Sequence, residues 1–144
     1  MPIATGVTLD HVARETSDVR RFINFYQELF GFEEIASFDT GSGRVIWLHL
    51  PGVFTLHVIE KGSKDSKPFS PPPNIAGFMD IPCAHHFCFT VSNYDSFVQT
   101  LNDKGIQTFL SGRPQATDKV KRTFFFDPDG NLLEAASPPV DDDE

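Results

Sequence analysis

Apolar and polar positions alternate from Gly6 to Arg14, and Val7-Thr8-Leu9-Asp10-His11-Val12-Ala13 carries the two-residue period of a strand. The period then changes. Thr16 or Ser17 is placed to cap a helix and Asp18 falls in its first turn. Val19, Phe22, Ile23, Tyr26 and Leu29 recur at helical spacing, and Gly31 is the stop. An amphipathic helix packed on a sheet is expected. Residues 32–38 read as the next strand, and residues 44–50 and 53–60 as a hairpin across Pro51-Gly52.

Residues 61–82 break the pattern: they are rich in Pro, Ser and Lys, include Pro71-Pro72-Pro73, and show no period. They read as a long connector. Order resumes with a strand over residues 84–91. A helix follows, capped by Asn93, with Phe97, Val98 and Leu101 on one face and Gly105 as its stop. Residues 106–110 form the next strand, and residues 122–126 with 131–136 form a last hairpin turned by Asp127-Pro128-Asp129-Gly130. In that turn Pro fixes φ, Asp bonds its own backbone and Gly accepts a positive φ. Residues 7–60 and 83–136 thus repeat one order, βαβββ, which predicts an α+β fold of two modules within a single domain over 1–144. Residues 137–144 are expected to be an acidic disordered tail.

Composition narrows the use of such a fold. Forty per cent hydrophobic residues, with 15 Phe against two Tyr and one Trp, predict an apolar interior or pocket poor in hydroxyls. Half of the formal charge of −8 sits on Asp141, Asp142, Asp143 and Glu144. An acidic chain with no basic stripe is not expected to bind nucleic acid. Cys83 and Cys88 are five apart in one predicted strand, hence on opposite faces. They read as small core residues rather than a disulfide or nucleophiles, and reduced thiols suit a cytoplasmic setting. No stretch approaches the ~18 apolar residues of a membrane span, and no signal peptide is expected.

The candidate chemistry begins at Glu134, a lone carboxylate among Leu132, Leu133, Ala135 and Ala136. Burying it unpaired would cost several kcal/mol, so it is either wet at a sheet edge or partnered. The repeat supplies partners. His11 precedes Ser17 by six residues and His86 precedes Asn93 by seven, while His57 follows Gly52 by five and Glu134 follows Gly130 by four. Each module thereby offers one ligand-type side chain on its first strand and one on its last. His11, His57, His86 and Glu134 form an N/O donor set suited to a divalent metal such as Zn, Ni, Fe or Mn. Taken singly, a histidine in a strand is more often a core or surface residue than a ligand, and no short motif such as CxxC is present. All five histidines fall in predicted strands; His49 and His85 read as structural. Arg20-Arg21 and residues 119–122 read as solvated faces, although Lys121 or Arg122 at the mouth of a hairpin could hold an anion.

Three motifs carry a resemblance across both modules: Leu9-Asp10-His11-Val12 with Phe25-Tyr26 and Phe30-Gly31-Phe32; His86-Phe87 with Phe89 and Val91; and Phe126-Asp127-Pro128-Asp129-Gly130-Asn131 with Glu134. The chain resembles the vicinal oxygen chelate superfamily, specifically the glyoxalase I-like (lactoylglutathione lyase family) proteins of plant type. The resemblance implies a glyoxalase/bleomycin-resistance-type fold, an incomplete barrel around a metal held by one residue from each of four strands. His11, His86 and Glu134 fall on three of the ligand positions and His57 on the fourth, with Glu60 as its rival three residues on, hence on the opposite face. Some relatives use three protein ligands. It also implies a C2 homodimer with two sites that take ligands from both subunits.

One position departs from glyoxalase I. Where an arginine four residues past the first ligand anchors the glutathione carboxylate, this chain has Glu15, and like charges repel. Glutathione is therefore not expected. The expected function is a metal-dependent isomerase acting through an enediolate on a hydrophobic ketone or hydroxyketone, such as a terpenoid or phenolic intermediate. Glu134 is its acid–base residue, and Phe89, Phe124, Phe126 and Lys121 contact the substrate. Glutathione-dependent glyoxalase I and a non-catalytic small-molecule binder of the same fold are the alternatives.

Overall fold

A computed structural model describes residues 2–62, 67–73, 75, 84–110 and 119–140. Cys83, most of the connector and Asp141–Glu144 of the acidic tail lie outside them. The chain divides into two compact units, Met1–Lys67 and Pro68–Glu144. The first contains β1 (His11–Thr16), α1 (Val19–Phe30), β2 (Glu33–Thr40), β3 (Gly43–Leu50) and β4 (Phe54–Glu60); the second contains β5 (His86–Thr90), α2 (Tyr94–Asp103), β6 (Phe109–Leu110), β7 (Arg122–Phe126) and β8 (Leu132–Ala136). Each forms a four-stranded sheet, in order β1-β4-β3-β2 and β5-β8-β7-β6, and neither sheet closes into a barrel. Two βαβββ modules of α+β type are therefore present, as the period changes predict.

Within each unit the first and last strands pair in parallel, β1 with β4 and β5 with β8, while the remaining pairs are antiparallel. The helix is the crossover that leads away from the first strand. Its ends follow local chemistry. Asp18, rather than Thr16 or Ser17, is the N-cap of α1, its Oδ1 accepting from Arg21 N at 3.0 Å, because β1 runs on through Thr16 to pair with Glu60. Gly31, at φ 82°, ends α1 by donating to Gln27 O. After α2 the Ile106 N–H returns to Leu101 O at 2.9 Å, with Gly105 at φ 77°. That is a Schellman closure, which uses the Ile106 amide and delays β6 to Phe109. Asn93 takes the N-cap position of α2, but its side chain bonds Ser96 Oγ instead of a backbone amide.

The strands have two unlike faces, because side chains alternate. In the first unit Ile46, Leu48, Leu56 and Val58 are fully buried on the helix side, together with Phe22, Ile23 and Tyr26 of α1. Burying each such side chain contributes roughly 1.5–3 kcal/mol. The opposite face carries His11, Trp47, His49, Thr55 and His57. In the second unit Thr123, Phe125, Leu133 and Ala135 are fully buried on the helix side. There Phe97 meets Phe125 edge-on at 6.1 Å and the Tyr94 and Thr123 hydroxyls bond each other. The opposite face carries His86, Cys88, Arg122, Phe124, Phe126, Leu132 and Glu134.

Three expectations change at this level. Strand β1 starts at His11, leaving Val7 and Leu9 exposed, because β4 offers pairing partners from Thr55 onward. His85 precedes β5 instead of lying in it. Cys88 is exposed and not a core residue, since its strand turns it away from α2 and toward Glu134. Among the described residues no helix is long and apolar enough to cross a membrane.

Candidate functional site

The second unit's site begins in its turn. Asp127, 1 % exposed, accepts from the Asp129 and Asn131 amides at 2.9 Å each and from Asn131 Nδ2 at 2.8 Å. That bonding, with Gly130 at φ 86°, sets the hairpin register Phe126↔Leu132, Phe124↔Glu134 and Arg122↔Ala136. Strand β8 is an inner strand, so Glu134 also has β5 beside it, with Cys88 as its direct partner and His86 two residues before. Glu134 is consequently 6 % exposed and not wet at an edge.

Its two oxygens are both engaged. Arg122 Nη1 donates to Oε1 at 3.2 Å, and His86 Nε2 lies 3.1 Å from Oε2. His86 Nδ1 is 2.9 Å from Ala84 O. A carbonyl oxygen can only accept, so Nδ1 carries the proton, and in the neutral ring Nε2 then presents a lone pair to a carboxylate oxygen. Two acceptors at that spacing need a proton or a cation between them. Two donors each about 2.1 Å from one ion at a right angle stand about 3 Å apart. His86 and Glu134 therefore fit a divalent metal, and the Ala84 carbonyl fixes the imidazole tautomer such a ligand requires. Cys88 feels the same carboxylate: partial burial and the Glu134 charge push its thiol up to about 11.

The first unit brings His11 and His57 together differently. Their rings stack at 3.8 Å between centroids and 12° between planes, and Trp47 stacks on the other side of His57 at 4.4 Å and 4°. Phe38 meets Trp47 edge-on at 5.0 Å, so the column reaches across all four strands. His11 Nδ1 is held by Asp10 Oδ2 at 2.7 Å. Burial, and next the charge on His11, lower the His57 pKa from its ordinary value, with Asp10 acting the other way. His49 is bonded to Thr55 Oγ1 at 3.2 Å. Glu60 pairs with Thr16 and, three residues beyond His57, belongs to the opposite face. Glu15 shares the face of His11 and is paired with Lys61 at 3.0 Å.

Of the predicted substrate contacts, Phe124 and Phe126 lie on the Glu134 face, where Phe109, Phe124 and Leu132 form a buried cluster joined by Ile75 and Phe126. Phe89 pairs with Ala135 and projects from the other face, and Lys121 is bound to Asp95 at 2.6 Å beside the Tyr94 ring. Among the described residues no three His, Cys, Asp or Glu side chains gather as a metal-holding group. What the sequence reading missed is Arg122 as the partner of Glu134. The signal was available: in a hairpin that pairs residues 124 and 134, residue 122 falls on the same face. The same parity sets Trp47 across from His57 in the first hairpin, whereas Asp10 carried no such signal.

Comparison with known proteins agrees with this architecture. Residues 8–135 match the family model of the Glyoxalase/Bleomycin resistance protein/Dioxygenase superfamily. The uncharacterised protein YwkD of Bacillus subtilis (strain 168) is 32 % identical over 133 residues, covering 88 % of this chain and 94 % of its own. A glyoxalase family protein from Enterococcus faecalis superimposes with a TM-score of 0.65 at 28 % identity, covering 92 % of this chain and 99 % of that one. A variant of the fosfomycin resistance protein FosX from Listeria monocytogenes, solved with Mn(II) and 1S,2S-dihydroxypropylphosphonic acid, shares the fold at a TM-score of 0.63 and 16 % identity, over 94 % of this chain and 96 % of that one.

Proposed function

The chain belongs to the Glyoxalase/Bleomycin resistance protein/Dioxygenase superfamily, and from that we propose that it is a metal-dependent isomerase. It moves a proton beside the carbonyl of a hydrophobic ketone or hydroxyketone, passing through an enediolate, without glutathione. The observation that carries this reading is Glu134: a buried carboxylate, held at both oxygens, on a sheet face that also carries Phe109, Phe124, Phe126 and Leu132. A divalent cation of the Zn, Ni, Fe or Mn class, when bound, would polarise the substrate oxygens and acidify the adjacent C–H. His86 Nε2 and Glu134 would be donors to it in the second unit, and His11 holds the matching donor position in the first.

Glu134 takes the proton and returns it to the neighbouring carbon, as general base and then acid. Arg122 keeps Oε1 in place through a charge-assisted hydrogen bond, so the carboxylate need not reorient between the two transfers. The phenylalanines on that face exclude water and admit an apolar body. Lys61 partly offsets the charge of Glu15, yet an acid still stands where a glutathione carboxylate would need a cation.

The test is deuterium uptake beside the carbonyl of a panel of hydrophobic hydroxyketones in D2O, followed by NMR on the metal-loaded protein. Glu134→Gln should keep the fold and lower the exchange rate by about 10²–10⁴-fold. Full exchange in that variant would reject the role. Turnover of the methylglyoxal–glutathione hemithioacetal would instead favour glyoxalase I. Metal below about a tenth of stoichiometry in untagged protein, with no change on chelation, would favour a non-catalytic binder.

A further inference from the structure

We infer that His57, although it stands at a ligand position of the repeat, donates no electron pair to the metal and is a positioning residue that holds the ring plane of His11. The inference rests on the metal-dependent reading above and divides the labour between the two histidines of the first unit.

The argument is geometric. An imidazole binds an ion along its nitrogen lone pair, in the plane of the ring, at about 2.0–2.1 Å. The His11 and His57 planes are within 12° of parallel and their centroids are 3.8 Å apart. Their lone pairs run side by side and do not converge. An ion midway between the two planes would sit about 1.9 Å out of each, roughly a full bond length off the lone-pair axis. One of the rings can serve, not both.

Two observations choose His11. Its Nδ1 is bonded to the Asp10 carboxylate at 2.7 Å, which fixes the tautomer and leaves Nε2 as the donor, the arrangement by which carboxylates orient metal-binding histidines. His57 has no side-chain hydrogen bond to any described residue. It is instead wedged, with Trp47 parallel to it within 4° on one side and His11 on the other. Turning His57 toward an ion would break both stacks. Trp47 is itself braced by the Phe38 edge, so the column Phe38–Trp47–His57 forms a stop against which the His11 ring rests.

The experiment is electron paramagnetic resonance of the full chain loaded with one equivalent of Cu(II), counting the imidazole nitrogens coupled to the ion, together with a titration for Cu(II) affinity. His57→Phe, ring for ring, should keep the wild-type nitrogen count and bind within about twofold of wild type. His57→Ala should keep that count but bind roughly two- to tenfold more weakly, the measure of a lost aromatic stack. His11→Ala should show one nitrogen fewer. One nitrogen fewer in His57→Phe, or an unchanged count in His11→Ala, would overturn the inference and leave the metal-dependent reading standing; wild-type affinity in His57→Ala would overturn the supporting role. A wild-type chain that binds no Cu(II) would overturn both. Either His57→Phe or His11→Ala decides alone, so the test stands even where the other substituted chain fails to fold.

Discussion

The charge on Glu134 reaches its neighbours, and Cys88 reports it. The residue is exposed, which by itself would make its thiol reactive, but the pKa is raised to about 11 by partial burial of the thiol and by the carboxylate opposite it in the parallel pair. At pH 8 its thiolate population should lie roughly a hundredfold below that of an ordinary cysteine. Iodoacetamide labelling read by peptide mass spectrometry should therefore find Cys88 slow at pH 8 and accelerating toward pH 11. Glu134→Gln should speed the pH 8 reaction by removing the repelling charge, and equal rates in the two proteins would contradict the pairing. Sequence spacing put Cys83 and Cys88 on opposite faces, but it did not say which face α2 would cover. The same gap hid the role of Arg122, which looks like one more surface cation until Glu134 is known to be buried beside it.

At the scale of elements, the structure is most legible where one residue type has one conformational use. Gly31, Gly105 and Gly130 each take a positive φ at a helix end or a turn, as their positions in the sequence predict. It is least legible where a backbone group is recruited elsewhere, as with the Ile106 amide that closes α2 and shortens β6. The Asp127 turn is the element on which the site depends. Asp127→Ala removes three accepted hydrogen bonds and strands two backbone amides, so it should cost about 2–4 kcal/mol in urea unfolding. Because the turn sets the pairing of residues 124 and 134, the variant should also lose metal affinity beyond what its stability explains. Gly130→Ala carries a second penalty, since its Cβ would stand 2.9 Å from the Phe69 ring as well as at φ 86°.

For the whole molecule, the repeat was readable because both halves change period at matching places, and it correctly implied two sheets of like order. The destination of each histidine was not readable. His57 and Glu134 occupy equivalent strands, yet one faces an indole and the other an arginine, a difference made by Trp47 and Arg122 on separate neighbouring strands. The assembly we expect is a C2 homodimer, so light scattering should return twice the chain mass, and a monomer would contradict it. In each unit the parallel pair joins strands about 45 residues apart, a contact that hairpins alone cannot form and that is slow to close. During synthesis the two halves therefore close in turn, not together. The ribosome has released every strand of the first sheet once Glu60 is out, whereas His86 must wait until β8 is made before Glu134 can reach it. A nascent chain would thus carry a finished histidine stack while its second half still lacks its acid.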